Sequence, residues 1–368
     1  TSRADAPVDA ELAAPALAWP PDEARPRDLF TELEVRGLLR EFGGEMTTLD
    51  RSKYRLVTTD DELAELVTTL DAAPRFALDT ETTGLDSMRA DLVGLSFCAD
   101  DDIAWYVPVA HAVLEPQLTW EVVRDALLPI LTDPTKGKTG QNLKYDLEIL
   151  ARHGVELAGI DGDTLLADYL LNPDRRSHKL DDLALVYLNH KMIPFSDAVP
   201  KGGTFDQVPL ERACDYAAED AHVTWLLDRR LHKRLEEDAL DDLYRTLELP
   251  LMPVLATMEM NGIAVDRDLL TDLSAELADG IAEAEARCYE AAGREFNIGS
   301  VKQLREVLFE ELGLPVIKKT KTGASTNEQV LTELAIQHPL PRSILDYRSL
   351  VKLKNTYVDP LPEMIHPE

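Results

Sequence analysis

The apolar positions change their period along the chain, and each change marks a new element. Up to about residue 27 they have no period: Ala13, Ala14 and Pro15, then Trp19, Pro20 and Pro21, stand among acids, and no packed face can form. Leu29, Phe30, Leu33, Val35, Leu38 and Leu39 then take a helical spacing that ends at Gly43 and Gly44. From Tyr54 the pattern is mixed. Glu62 to Leu70 reads as a helix and Arg75 to Glu81 as a strand. Leu92 to Ala99 and Ile103 to Val109 read as two more strands, joined through the acidic turn Asp100-Asp101-Asp102 as an antiparallel hairpin. A helix over Trp120 to Leu131, a short strand near Lys138 and a helix from Lys144 to His153, stopped by Gly154, complete a mixed sheet flanked by helices.

Helices continue to about Leu240, and beyond it no strand pattern of any length is visible. The spacing predicts helices over Leu247 to Met260, stopped at Asn261-Gly262, and over Arg267 to Ala292, stopped by Gly293. A third begins at the N-cap Ser300 and ends before Gly313. A Lys-rich loop (Lys318, Lys319, Lys321) leads to a last helix from Ser343 to Tyr357. The expected division is an acidic Pro/Ala-rich linker with a connector helix over residues 1–53, an α/β domain over 54–240, and a mainly helical region over 241–368.

A length of 368 residues suits about two domains. With 45% hydrophobic and 29% charged residues, a sizeable core is available. The net charge of -30 sets up a field that repels phosphate and anionic membranes, so any nucleic-acid contact must be local. Cys98, Cys214 and Cys288 form no pairing pattern, and no signal peptide or spanning run is visible. A cytoplasmic monomer with no membrane partner is expected.

Four acids stand where the pattern calls for burial. Ala77, Asp79 and Glu81 share one side of their strand, so two carboxylates lie side by side and repel unless a cation sits between them. Asp146 falls on the inward stripe with Ile149 and Leu150. Tyr216, Asp220, Val223, Leu227 and Leu231 place a further acid on a core stripe. Any one of these is most often a solvated or ion-paired acid. Together, as an oxygen-only set in one domain, they fit Mg²⁺ or Mn²⁺ rather than zinc.

The segments Leu78-Asp79-Thr80-Glu81-Thr82-Thr83-Gly84-Leu85-Asp86, Gly140-Gln141-Asn142-Leu143-Lys144-Tyr145-Asp146 and Tyr216-Ala217-Ala218-Glu219-Asp220 resemble the three exonuclease motifs of the DEDD superfamily, in its tyrosine-bearing branch. More narrowly, they are similar to the proofreading domain of bacterial family A DNA polymerases. The likeness continues through Glu248 to Leu255, Met258 to Ile263, Phe296 to Leu304 and Tyr347 to Tyr357, which resemble the start and thumb of the polymerase domain.

The resemblance implies a ribonuclease H-like 3′-5′ exonuclease fold followed by a thumb-like helical region, serving DNA replication and repair. It implies two divalent ions, Mg²⁺ or Mn²⁺. Asp79, Glu81 and Asp220 would hold one of them. Asp79 and, through water, Asp146 would hold the other, with Tyr216 orienting the attacking water. Leu85 and Phe205 would wedge and stack the terminal bases of a single-stranded DNA 3′ end, and Gln141, Asn142 and Tyr145 would touch the strand. Relatives often carry Arg directly before the His of the segment Arg176-Ser177-His178-Lys179-Leu180-Asp181; here Ser177 does, which leaves Arg175 or Arg176 as the phosphate contact. Between Phe296 and Tyr357, nine basic residues against six acids make a local charge of +3, a thumb for duplex DNA with Lys302, Arg305, Lys352 and Lys354 as contacts. The resemblance also implies a piece of a longer polymerase, lacking the polymerase metal ligands. Two other readings stay open: a ribonuclease D-like exoribonuclease and a catalytically silent DNA-binding module.

Overall fold

The computed structural model describes residues 47–321 and 323–366. The acidic tail and the helix expected over Leu29 to Phe42 lie outside them. The chain forms two compact units, dividing between Asn261 and Gly262.

The first unit is built on a six-stranded mixed sheet in the order β1-β4-β3-β2-β5-β6. Its elements are β1 (Arg55–Leu56), α1 (Asp60–Ala72), β2 (Arg75–Thr82), β3 (Leu92–Cys98), β4 (Ala104–Pro108), α2 (Trp120–Leu131), β5 (Gly137–Gly140), α3 (Leu143–Arg152), β6 (Ile160–Asp163), α4 (Thr164–Leu171), α5 (Leu210–Glu237) and α6 (Leu249–Asn261). The hairpin β3-β4 is antiparallel, as its turn predicts, and β2 pairs antiparallel with β3 but parallel with β5. One sheet face, with Phe76, Leu78, Leu95 and Phe97, packs on α1 to α4. The opposite face, with Ala77, Val93 and Tyr106, meets Ala213, Ala217, Ala218 and Ala221 of α5.

Two short strands escape the sequence pattern. β1 is two residues long. β6 is Ile160-Asp161-Gly162-Asp163, where no strand was expected, yet Asp163 accepts from Leu143 N (2.7 Å) and Leu166 N (3.0 Å) and so caps two helices at once. The expected boundary near Leu240 is also displaced. Tyr244 is buried with its hydroxyl on the backbone of Asp163, and Leu249, Met252 and Ala256 of α6 join the main core, so the first unit takes in the segment up to Asn261.

The second unit comprises α7 (Arg267–Ala292), α8 (Val301–Arg305), the strands β7 (Lys319–Thr320) and β8 (Gly323–Ala324), α9 (Glu328–Leu334) and α10 (Pro339–Leu353). Asp266 caps α7, and Gly293, at φ 75°, ends it as expected. The Lys-rich stretch is a small hairpin rather than a loop, and α9 follows where no helix was expected. The core here is Cys288, Phe296, Leu304, Leu308, Leu331 and Ile344.

Candidate active site

Because β2 is central, its side chains are presented on a fixed surface, and alternation sends Asp79 and Glu81 to the face that α5 covers. The alanines of α5 lack bulk, so the helix approaches the sheet closely and brings Asp220 to the strand acids. Glu81 stands opposite Gly94 in the register. A Cβ at Gly94 would come within 2.3 Å of the Tyr106 hydroxyl, so the bare glycine lets that ring lie under the site, its hydroxyl 2.6 Å from His111 Nε2. One carboxylate oxygen from each of Asp79, Glu81 and Asp220 lies within 4.8 Å of the others.

Among the described residues no Lys, Arg or His forms an ion pair with this trio. Glu81 Oε1 is buried and has no hydrogen-bond partner. Burial, followed by the charge of Asp220, pushes the Asp79 carboxyl well above its usual range. Burial and then Asp79 do the same to Glu81, and burial and then Glu81 to Asp220. The adjacent Glu219 shows the contrast. Burial pushes it up too, but His190 Nε2 at 2.9 Å, the Ile193 N–H at 2.7 Å and Arg51 at 2.7 Å outweigh that and hold it low. Glu219 is thus a satisfied structural acid, and its neighbours form an unsatisfied anionic cluster. An orphaned buried carboxylate oxygen within an oxygen-only set fits a hard divalent cation such as Mg²⁺ or Mn²⁺.

Asp146 stands outside the trio. It is buried near the N-terminus of α3, and its Oδ1 accepts from both the N–H (2.8 Å) and the hydroxyl (2.6 Å) of Thr80, the residue between the two strand acids. Burial first, then Asp79, raises its pKa. Thr80 is a site residue that the sequence pattern hides, because its side chain points to the opposite face from Asp79 and Glu81.

Tyr216 stands one turn before Asp220 on α5, near enough that each shifts the titration of the other. Burial and then the Asp220 charge push the phenol far up, so Tyr216 stays protonated. The expectation for Phe205 needs correction. It is 1% exposed, wedged among Tyr106, His111 and Tyr216 (5.6 Å between ring centroids), and in this conformation it supports Tyr216 rather than offering a face to a base. An accessible aromatic beside Tyr216 is Phe195, 54% exposed and 6.1 Å from the Tyr216 ring. Leu85, by contrast, is 98% exposed at the tip of the loop after β2.

With this geometry in view, residues 54–236 match the 3′-5′ exonuclease family and residues 267–368 match DNA polymerase family A. DNA polymerase I of Pseudomonas aeruginosa is 44% identical over 362 residues, covering 92% of this chain and 39% of that protein. The chain belongs to the family A DNA polymerases. DNA polymerase I of Chloroflexus aurantiacus is 38% identical, covering 96% of this chain and 38% of that protein. Among solved structures, the POL domain of Pol1 from M. smegmatis, in complex with DNA primer-template and dNTP, superposes with a TM-score of 0.71 at 32% identity, covering 85% of this chain and 51% of that one. This family A chain thus spans about two fifths of the length of those curated relatives. It comprises the exonuclease domain and the start of the polymerase domain.

In this family A exonuclease domain the remaining expected contacts serve local order as well. Asn142 adopts the left-handed conformation (φ 59°) just before α3, a strain that Asn tolerates better than most residues. Gln141 Nε2 donates to His178 O at 2.8 Å. The Tyr145 hydroxyl meets Thr82 Oγ1 and Gly84 O, each at 2.6 Å. The arginine pair is divided. Asp168, fully buried, gathers Arg175 Nε (3.1 Å), His178 Nδ1 (2.6 Å), the Tyr187 hydroxyl (2.6 Å) and Asn172 Nδ2 (3.0 Å), whereas Arg176 is exposed. In the polymerase-matched part, Lys302 and Lys352 are exposed. Arg305 Nε donates to Ala324 O at 2.6 Å, and Lys354 pairs with Asp359 at 2.9 Å, so these two cations also hold the unit together. Among the described residues no helix is long and apolar enough to cross a membrane.

Proposed function

We propose that the exonuclease domain hydrolyses DNA stepwise from a single-stranded 3′ end and so serves as the proofreading part of a longer DNA polymerase. The observation that carries this reading is the trio Asp79, Glu81 and Asp220, buried together with Glu81 Oε1 unpartnered. Asp79, Glu81 and Asp220 would hold one divalent ion, and Asp79 with Asp146 a second. When bound, such ions make a hydroxide available near neutral pH and stabilise charge on the leaving 3′ oxygen. The protein's own groups do the rest. Thr80 fixes the orientation of Asp146. The Tyr216 phenol, kept protonated, orients the attacking water from the face of α5 as a hydrogen-bonding group and not as a base. Leu85 stands ready to part the terminal bases, and Phe195 offers a stacking face beside Tyr216. Arg176 contacts phosphate, since Arg175 is taken up by Asp168. In the second unit, Lys302 and Lys352 would meet duplex phosphates.

The test incubates the chain with 5′-labelled single-stranded DNA and, separately, RNA, in Mg²⁺ or EDTA, beside an Asp79→Ala, Glu81→Ala double variant. Stepwise shortening of DNA from the 3′ end is expected, abolished by EDTA and by the double variant. Preferred RNA degradation would move the chain to exoribonuclease chemistry. DNA binding without hydrolysis would make it a silent module.

A further inference from the structure

The loop from Thr83 to Asp91 is an unusual carrier for an exposed leucine, because α3 grips it at several points. Tyr145, Glu148 and Arg152 are spaced i, i+3 and i+7 and lie on one stripe of α3. The Tyr145 hydroxyl donates to Gly84 O at 2.6 Å, just before Leu85. Ser87 Oγ donates to Glu148 Oε2 at 2.5 Å, just after it. Arg152 Nη1 donates to both Ser87 O and Ala90 O at 2.7 Å, closing the far side. Glu148 is 1% exposed, so this anchor is set in the protein body rather than on its surface. One turn before Glu148 on the same stripe, Lys144 pairs with Glu259 of α6, which is also a neighbour of Glu148.

Leu85 is thus an apolar side chain displayed to water on a backbone bonded to α3 on both sides. Display alone is unfavourable, and rigidity adds nothing to a leucine that only packs. Rigidity matters to a wedge: a yielding loop relaxes when a base pair resists, and a held one transfers the strain to the pair. We propose that Glu148 and Arg152 are positioning residues that brace Leu85 as a strand-separating wedge, so that they govern how a paired 3′ end is opened without taking part in hydrolysis. This rests on the exonuclease reading above. It extends that reading from the acids to the helix that carries Asp146, and the same α3 would set both the chemistry and the access to it.

The experiment compares the full chain with Arg152→Ala, Arg152→Lys, Ser87→Ala, Leu85→Ala and the double variant Leu85→Ala, Arg152→Ala. Each is given the same 5′-labelled strand in Mg²⁺, once single-stranded and once annealed to its complement with a paired 3′ end. For Arg152→Ala and Ser87→Ala, kcat/KM on the single strand is expected within twofold of the unaltered chain. The rate on the paired end is expected to fall about tenfold for Arg152→Ala and less for Ser87→Ala, with Arg152→Lys recovering part of it. Leu85→Ala should lower the paired-to-single ratio similarly, and the double variant no further, because both act through one side chain. Equal losses on both substrates would overturn the inference in favour of a general structural role, as would an unchanged ratio or additive losses. Failure of the unaltered chain to shorten single strands at all would instead overturn the exonuclease reading, and the wedge with it.

Discussion

Tyr216 carries a hydroxyl on the helix turn before Asp220 and a ring that packs on Phe205 and Phe195. Replacing it by Phe keeps the stack and removes only the hydroxyl. We expect Tyr216→Phe to lower the single-turnover rate on single-stranded DNA by about tenfold with KM little changed, short of the 10²–10⁴-fold that proton transfer supplies. A larger loss would assign Tyr216 a proton-transfer role that its raised pKa argues against. The position of this tyrosine was legible, since one helical turn before a core-facing acid is a local relation. The roles of Phe205 and Phe195 were not. Both are aromatic residues between helices, and which one is covered depends on where Tyr106 and His111, about a hundred residues earlier, come to lie.

At the scale of elements, the segment after α4 shows how one buried acid sorts two neighbouring arginines. Asp168 orders Arg175 and His178, and His178 O in turn receives Gln141, so the segment is tied to the turn before α3. Arg175→Ala breaks a buried ion pair and is expected to destabilise the first unit by about 3–5 kcal/mol in denaturant unfolding. Arg176→Ala is expected to leave stability within about 0.5 kcal/mol and to weaken single-strand binding. The slope of log affinity against log salt should become shallower by about 0.7, the share of one phosphate contact on a single strand. Fluorescence anisotropy across a salt series reads this directly. The reverse pattern would exchange the two assignments. The ladder β3-β4, α2 and α7 could be read from period and caps alone, whereas β6 could not, because its polar residues are justified only by the helices that Asp163 caps.

At the scale of the molecule, the anionic cluster sets a pH dependence of stability. Without a cation, Asp79, Glu81 and Asp220 hold protons more tightly when folded than when unfolded. Below about pH 4 both states are protonated and these acids cost nothing. As pH rises past that value the unfolded chain releases its protons first, so stability falls by up to about 1.4 kcal/mol per pH unit for each proton the folded state retains. Calorimetry in EDTA should therefore show a steeper decline in Tm toward neutral pH for the unaltered chain than for Glu81→Gln, which removes one such acid. Mg²⁺ should stabilise the unaltered chain more as pH rises, and Glu81→Gln much less. Equal slopes in EDTA would show that the cluster is relieved by another route.

What the sequence by itself determined is local: the order and kind of most elements, the division into an α/β and a helical part, and the acids, each marked by a polar residue on an apolar stripe. Tertiary structure decided how closely those carboxylates converge, with Asp79, Glu81 and Asp220 within 4.8 Å, and that Asp146 is held on Thr80. It also decided that Arg175 is committed and Arg176 exposed, and that the first unit runs to Asn261. The physical reason is that period and capping act within a few residues of chain, while burial and the pairing of charges depend on groups that only the fold brings together.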